Sequence, residues 1–235
     1  MKINRIIFAT GNKDKIREAS QILEGFDVPV ISMKDAGVAA DPEENGTTFE
    51  QNALIKARAV AKLLAGSGRG RDCVSGDESG KGDNEAYGVE KGTGEGMDGG
   101  EGVIADDSGL VIDYLNGEPG IYSARYMGHD TSYHEKNASL ISRLEGVPDD
   151  KRTARFTCAI AAVLPDGTEL TATGNSEGSI GYEEKGEHGF GYDPIFYLPD
   201  LGLYSAELSD EEKNARSHRG QALRAMKDLL EERMV

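Results

Sequence analysis

Near its N-terminus the chain carries the stretch RIIFATGNKDKIREASQIL, residues 5–23. Residues 5–9 form a short run rich in strand-favouring side chains, which is typical of a β-strand. In residues 13–23 the apolar side chains recur at the spacing of an amphipathic helix. Thr10-Gly11-Asn12 separates the two segments. We therefore predict strand, tight turn and helix, a unit typical of α/β folds.

Strand and helix patterns alternate along the rest of the chain. We predict strands at residues 28–33, 103–105, 110–114, 153–164, 168–174 and 176–182, and helices at 47–64, 132–144 and 217–233. Thr47 and Glu50 have the spacing of a capping box at the start of the second helix, and Ser209 and Glu212 repeat that spacing. The mixture predicts a mixed sheet in an α/β to α+β fold.

Residues 67–102 interrupt this alternation. The segment is rich in Gly, Asp and Glu, and its few apolar residues have no period. We interpret it as an acidic surface insertion in a single domain of residues 1–235, because such a composition cannot bury a core. A loop of this length inside a compact domain is unusual, so a solvated loop and a partner-binding segment both stay open.

The chain of 235 residues carries a formal net charge of −16. Such acidity repels nucleic-acid backbones and anionic membranes, so neither is an expected partner. A phosphate site in this chain must be a local basic island or must be neutralised by a metal. The sequence has neither an apolar run long enough for a membrane span nor a signal-peptide pattern, so we expect a cytoplasmic protein. Cys158 lies in an apolar run that is typical of a core, and Cys73 lies in the insertion.

The turn Thr10-Gly11-Asn12-Lys13-Asp14-Lys15 is the first candidate site. Backbone amides at a helix N-terminus point outward with a positive dipole, which favours a phosphate. Gly11 lets the backbone approach a ligand, and Lys13 or Lys15 supplies positive charge. The Gly-Lys-Ser/Thr of a Walker A loop is missing. An ordinary tight turn before a solvated helix is the alternative.

Asp106-Asp107-Ser108-Gly109 lies between two predicted strands and carries adjacent carboxylates. Because side chains alternate along an extended segment, the two carboxylates point to opposite faces. We expect one in a site and the other in a structural pair. A carboxylate at a strand end can bind Mg²⁺ and hold a water for attack, and Glu43-Glu44 offers a second oxygen ligand. The alternative is an Asp-rich turn.

Lys56 is a candidate inward cation on the second helix. It interrupts an apolar stretch, and Asn52 lies on the same face one turn earlier. Most such lysines extend the ammonium group to solvent instead, so both interpretations stay open.

Two later segments carry groups suited to a nucleotide base. Phe190-Gly191-Tyr192-Asp193 follows a Gly-rich loop, where an aromatic ring can stack on a base or a structural turn can form. Lys213, His218 and Arg219 lie at the entry to the last helix, where the helix dipole disfavours cations. This local conflict indicates a functional site, since Arg and His can donate to O6 and N7 of a 6-keto purine.

Together these segments closely resemble the motifs of the Ham1/RdgB family of XTP/dITP diphosphatases, also called inosine triphosphate pyrophosphatases. Order and approximate spacing agree over nearly the whole chain. The matching segments are residues 9–15, 43–53, 104–110, 119–126, 190–196 and 217–220. The departure is the insertion, since the family usually joins the long helix to the Asp-Asp-Ser-Gly segment through a few residues.

The resemblance implies an α/β fold with an elongated mixed β-sheet flanked by helices, two lobes with a central cleft, and a homodimer. It implies Mg²⁺-dependent hydrolysis of purine nucleoside triphosphates such as ITP, dITP and XTP to the monophosphate and pyrophosphate. Asp107 would be a metal ligand and the general base, and Glu44 or its neighbour Glu43 would hold metal. The other implied contacts are Thr10 to Lys15 and Lys56 for the triphosphate, Ser108 for substrate, and Phe190, Gly191, Tyr192, Asp193, Lys213, His218 and Arg219 for the base pocket.

Two other functions stay open. The related Maf-like class cleaves other nucleoside triphosphates, such as dTTP or UTP. A substrate panel separates it from an XTP/dITP diphosphatase. A nucleotide-binding or interaction module, whose insertion recruits a basic partner, predicts ligand binding without turnover.

Overall fold

The computed structural model describes residues 2–23, 28–66 and 100–234. Most of the predicted insertion, residues 67–99, lies outside the described residues, and Cys73 lies there too. No helix in the described ranges is long and apolar enough to cross a membrane. Cys158 is fully buried, as predicted for a core residue.

Across the described ranges, seven strands form one mixed sheet with the spatial order β2-β1-β3-β4-β5-β6-β7. Strands β2, β1 and β3 run parallel, and each neighbouring pair from β3 onward is antiparallel. The predicted mixed sheet is therefore confirmed. The strands are β1 (Ile3–Phe8), β2 (Val30–Ser32), β3 (Gly100–Ile112), β4 (Thr153–Val163), β5 (Glu169–Ile180), β6 (Phe196–Leu198) and β7 (Leu203–Tyr204).

In the same part of the chain, α-helices cover both faces of the sheet. They are α1 (Lys13–Ile22), α2 (Phe49–Gly66), α3 (Tyr133–Arg143), α4 (Asp210–Arg216) and α5 (His218–Met234). Helices α1 and α5 pack on one face through Ala19 and Met226, and α2 packs on the other through Ala53 and Ala57. Helix α3 packs through Leu140 in a further apolar cluster that contains the end of β3. The packing confirms the predicted α/β class.

Strand β3 divides its side chains between the two faces. Ile104 lies in the apolar cluster with α1 and α5, whereas Val103 and Ala105 lie in the cluster with α2. Because side chains alternate along a strand, Asp106 continues the face of Ile104 and Asp107 continues the face of Ala105. The predicted separation of the two carboxylates is confirmed.

The predicted break in this strand is wrong. Residues 103–105 and 110–114 were expected as two strands, but residues 103–112 pair with β4 without interruption. Asp106 therefore lies in the middle of a strand and not in a turn. Residues 100–102, expected in the insertion, pair with β1. Ladder hydrogen bonds from β4 outweigh the low strand propensity of the Asp-Asp-Ser-Gly segment.

The separate strands predicted at 168–174 and 176–182 are also one strand, β5. Gly174, which favours a break in the sequence, pairs with Cys158 of β4. A Cβ added at Gly174 would lie 2.3 Å from the carbonyl oxygen of His218. The glycine is therefore required for the close approach of α5 to β5, and it does not end the strand.

Capping residues fix the helix starts. The box predicted from Thr47 and Glu50 is replaced by other contacts, because Thr48 Oγ1 accepts a hydrogen bond from the Gln51 backbone N–H at 3.2 Å. The side-chain oxygen of Gln51 in turn accepts a hydrogen bond from the Thr47 backbone N–H at 2.8 Å. The box predicted to begin at Ser209 is confirmed at the start of α4.

Candidate active site

A cleft of about 250 Å³ collects most of the residues predicted for a phosphate site. It lies between the β1–α1 turn, the segment before α2, one face of α2 and the middle of β3. The predicted residues in its lining are Thr10, Gly11, Asn12, Lys15, Glu44 and Lys56, together with Asp106. Segments far apart in sequence thus meet at one place.

The β1–α1 turn is ordered by its own side chains. Thr10 Oγ1 accepts a hydrogen bond from the Asn12 backbone N–H at 3.2 Å, and Asn12 Oδ1 accepts one from the Lys15 backbone N–H at 3.3 Å. Asn12 therefore caps α1 at the cleft, where a helix N-terminus suits an anion. The side chains of Lys13 and Asp14 lie outside the described part of the structure.

Asp106 is the centre of one ion network. It is 1% exposed, and its Oδ2 lies 2.8 Å from Lys15 Nζ and 3.2 Å from Arg219 Nε. Arg219 also donates from Nη2 to Ser108 Oγ at 3.2 Å. Burial by itself raises the pKa of Asp106, but the cations, Lys15 first and Arg219 next, hold that pKa well below its ordinary value. The ionised carboxylate therefore ties the lysine of the turn to the arginine of α5.

Asp107 belongs to a second network on the α2 face. Its Oδ2 accepts a hydrogen bond from Asn52 Nδ2 at 3.1 Å, and its Oδ1 lies 3.3 Å from Lys56 Nζ. Asn52 is held in turn, because its Oδ1 accepts from the Gly46 backbone N–H at 2.9 Å. Burial raises the pKa of Asp107, and Glu44 adds to the rise, whereas Lys56 opposes it. Asp107 is not part of the cleft lining, but its partner Lys56 is. A buried carboxylate with a raised pKa beside a cleft is a candidate general base.

Glu44, and not Glu43, joins this second network. Glu44 Oε1 lies 3.0 Å from Lys56 Nζ, whereas Glu43 is exposed. On its other side, Arg125 donates from Nη1 to Glu44 Oε2 and from Nη2 to the Glu44 carbonyl, both at 3.3 Å. Burial acts to lower the pKa of Lys56, but Asp107 and the other nearby carboxylates raise it overall. The ammonium between the two carboxylates is therefore charged.

Glu44 and Asp107 are the residues that can hold a divalent cation. Both carboxylates approach the same Lys56 Nζ, and this lysine lines the cleft. Within the described ranges no group of three or more His, Cys, Asp or Glu is arranged to hold a metal ion. A donor set of two carboxylates fits Mg²⁺, which completes its shell with water and substrate phosphates.

Phe190, Asp193 and Lys213 form a compact group beside the first network. Lys213 Nζ lies 2.7 Å from Asp193 Oδ2 and 4.7 Å from the centre of the Phe190 ring. The Phe190 backbone N–H donates to the same Asp193 oxygen at 2.8 Å. Arg219 Cζ lies 5.9 Å from the Phe190 ring. The ring is 41% exposed, and Arg219 connects this group to Asp106 of the cleft lining.

The other residues predicted for the base pocket are Tyr192, Gly191 and His218, and their contacts are with other parts of the fold. Tyr192 is buried, and its hydroxyl donates to the Ser123 carbonyl at 2.7 Å. Gly191 has a φ of +70°, which favours glycine. His218 stacks on Phe156 with the ring centres 5.0 Å apart. Burial first, and neighbouring cations next, lower the pKa of His218 well below its ordinary value, so this imidazole is neutral near pH 7.

Three side chains of these networks were not predicted as site residues. Asn52 was signalled by its spacing one turn before the lysine of α2, and Asp106 by its place next to the proposed base. Arg125 lies in the matching segment 119–126, but nothing in its local pattern places it beside Glu44.

Both the sequence and the structure are similar to known proteins. The Ham1 family profile matches residues 6–81 and 82–229. A dITP/XTP pyrophosphatase from Clostridium perfringens (strain 13 / Type A) is 39% identical over 228 residues, which cover 97% of this chain and 98% of that protein. A dITP/XTP pyrophosphatase from Caldanaerobacter subterraneus subsp. tengcongensis is 41% identical over 230 residues and covers 98% of each chain.

Two solved structures share the fold. The Ham1 protein of Staphylococcus aureus superimposes with a TM-score of 0.75 at 35% identity, covering 97% of this chain and 99% of that chain. A HAM1 protein from Coxiella burnetii superimposes with a TM-score of 0.76 at 34% identity, covering 98% and 100%. The similarity therefore extends over nearly the full length of the described architecture.

Proposed function

The chain belongs to the Ham1 family, and on that premise we propose that it hydrolyses ITP, dITP and XTP to the monophosphate and pyrophosphate. The relatives named above are dITP/XTP pyrophosphatases. The observation that carries the proposal is the position of Lys56, which contacts both Glu44 and Asp107 in the cleft that the β1–α1 turn also lines. A helix N-terminus, cations and two carboxylates at one point suit a metal-bound polyphosphate.

Asp107 is the proposed general base. Water attacks the α-phosphorus, the bond from that phosphorus to the bridging oxygen breaks, and the water proton passes to the Asp107 carboxylate. Asn52 and Lys56 contact one carboxylate oxygen each and hold its orientation.

Positive groups offset the charge that grows on the pyrophosphate leaving group. Lys15 and Lys56 both line the cleft, together with Thr10, Gly11 and Asn12 of the turn before α1. Mg²⁺, when held by Glu44 and Asp107, would neutralise phosphate oxygens. We therefore propose that the reaction depends on Mg²⁺.

We assign purine selectivity to the group around Phe190. Its ring can stack on the base, while Lys213 and Arg219, which both lie over that ring, can donate to the keto oxygen at C6. Adenine carries an NH₂ donor at that position, which leaves protein donors unpaired. Such a mismatch costs about 1–3 kcal/mol per group. His218, neutral and stacked on Phe156, adds a single imidazole N–H on this side.

We infer a cytoplasmic homodimer that removes non-standard purine nucleotides from the nucleotide pool. The Ham1 resemblance supports the dimer and the cellular role. The net charge of −16 argues against a nucleic-acid substrate, because phosphate backbones are repelled by an acidic surface.

A substrate panel tests the proposal. The full-length protein is incubated with dITP, dATP, dTTP or UTP and with Mg²⁺ or EDTA, and pyrophosphate and orthophosphate are measured separately. We expect pyrophosphate from dITP only, and only with Mg²⁺. Faster release from dTTP or UTP would favour the Maf-like alternative, and binding without turnover would favour a nucleotide-binding module.

A further inference from the structure

Arg125 donates two hydrogen bonds to Glu44, a proposed metal ligand. Its Nη1 donates to Glu44 Oε2 and its Nη2 donates to the Glu44 backbone carbonyl, both at 3.3 Å. Lys56 contacts the opposite carboxylate oxygen, Oε1. The planar guanidinium therefore binds the side chain and the backbone carbonyl of Glu44 at the same time. A lysine ammonium lacks this fork of donors.

The 3₁₀ turn Gly120–Arg125 is held by three hydrogen bonds from other parts of the fold. Ser123 Oγ accepts a hydrogen bond from the Leu110 backbone N–H of β3 at 2.9 Å. The Tyr192 hydroxyl donates to the Ser123 carbonyl at 2.7 Å, and Lys136 Nζ of α3 donates to the Ala124 carbonyl at 2.8 Å. Ser123, Tyr192 and Lys136 are all buried. The base of the arginine is therefore held rigidly.

Gly109 allows this turn to lie directly on β3. A Cβ at Gly109 would lie 2.4 Å from both the Gly120 carbonyl oxygen and Ser123 Oγ. At the other end, the guanidinium Cζ of Arg125 lies 5.0 Å from the Tyr122 ring centre. Close packing against β3 thus fixes the backbone before Arg125, and the Tyr122 ring contacts its guanidinium.

We propose that Arg125 is a positioning residue that keeps the Glu44 carboxylate turned toward Asp107 for a divalent cation. This inference rests on the proposed metal-dependent function. Without Arg125, Lys56 is the remaining ion-pair partner of Glu44 within the described residues. Groups that orient a metal ligand typically change metal affinity by about 10- to 100-fold.

Direct metal binding is the primary test. Mn²⁺ binding to the nucleotide-free protein is measured by electron paramagnetic resonance for wild type, Arg125→Ala and Arg125→Lys. We expect Arg125→Ala to weaken Mn²⁺ affinity by about 10-fold or more. Arg125→Lys should recover part of the loss, because one ammonium cannot make both contacts with Glu44.

Arg143→Ala is the matched control. Arg143 also pairs with a carboxylate, Glu118 at 2.8 Å, and donates to Tyr126 at 3.0 Å on the same side of the molecule. It contacts neither Glu44 nor Asp107, so its loss should leave Mn²⁺ affinity unchanged.

Turnover of dITP against Mg²⁺ concentration gives a second readout. We expect Arg125→Ala to need about 10-fold more Mg²⁺ for half-maximal rate, with kcat near wild type once Mg²⁺ saturates. A merely structural role would lower kcat at every Mg²⁺ concentration, and that result would overturn the inference.

The outcomes separate this inference from the proposed function. If wild type binds Mn²⁺ and hydrolyses dITP while Arg125→Ala binds Mn²⁺ equally well, the positioning role is wrong and the function stands. If wild type neither binds Mn²⁺ nor hydrolyses dITP, the proposed function fails and the role of Arg125 fails with it.

Discussion

Asp106 and Asp107 are consecutive residues whose carboxylates contact different cations on opposite faces of one strand. Asp106 Oδ2 lies 2.8 Å from Lys15 Nζ, and Asp107 Oδ1 lies 3.3 Å from Lys56 Nζ. Both lysines line the same cleft. Strand alternation therefore gives the two neighbouring carboxylates different partners, Lys15 for Asp106 and Lys56 for Asp107, the candidate reacting group. The same substitution should have different effects at the two positions.

Asp107→Asn should abolish most turnover and leave the fold intact. The variant loses the proposed general base, which typically contributes about 10²- to 10⁴-fold. Its amide oxygen can still accept from Asn52, and burial already opposes the charge of Asp107. The kcat for pyrophosphate release and the thermal unfolding curve check both parts. Asp113→Asn is the control, because Asp113 pairs with Arg155, whereas Asp107 and Glu44 both pair with Lys56; near wild-type kcat in D107N would remove the catalytic assignment.

Asp106→Asn should instead destabilise the fold. The asparagine amide is neutral, so Lys15 and Arg219 lose the buried carboxylate with which they both pair. Removal of one partner from a buried ion pair typically costs about 3–5 kcal/mol. Denaturant unfolding measures the free energy of unfolding of wild type, D106N and D107N. We expect a clearly larger loss in D106N, and equal losses in the two variants would contradict the division of roles.

Phe190→Ala should raise KM for dITP and change kcat little. Loss of base stacking on an aromatic ring costs about 1–3 kcal/mol, or roughly 5- to 150-fold in KM. The contacts of Phe190 are with Lys213 and Asp193, not with Asp107 or Glu44, so the proposed reacting groups should be unaffected. Steady-state kinetics with dITP test this. Tyr114→Ala, at a residue 51% exposed beyond the end of β3, is the matched control and should keep KM; an unchanged KM in F190A would exclude stacking at this ring.

The parts of the fold that local patterns determine could be predicted from the sequence. The apolar period of α1 and the capping box of α4 depend on residues a few positions apart, so their places follow from the chain itself. The continuity of β3 through Asp106 and Asp107 could not be predicted in this way. It depends on pairing with β4, whose partner residues are about fifty positions away, and that pairing overrides local propensity.

The candidate site shows the same limit. The strand alternation rule predicted two roles for Asp106 and Asp107, because that rule acts on neighbours. It could not show that Glu44 rather than Glu43 faces the lysine, since both occupy one irregular segment. Arg125 was missed as a site residue because its contact with Glu44 joins residues 81 positions apart.

His218 should make the folded protein sensitive to acid. Burial first, with Arg219 and Lys213 next, lowers the pKa of His218 well below the ordinary value of 6.5. In the unfolded chain the imidazole regains that ordinary value. Below about pH 6.5 the unfolded state therefore binds a proton that the folded state does not bind. The free energy of unfolding should fall as pH drops through this range, and the effect of His218 should be absent above it.

His218→Gln tests this origin of the acid sensitivity. Glutamine keeps a hydrogen-bonding side chain but cannot take up a proton, so the variant should show a flatter dependence of unfolding free energy on pH between about pH 5 and pH 8. Denaturant unfolding at several pH values measures the slope. His129→Gln, at an exposed position, controls for the loss of an imidazole as such. A slope in H218Q as steep as in wild type would place the acid sensitivity in other groups, because His218 contributes to it only through the proton taken up on unfolding.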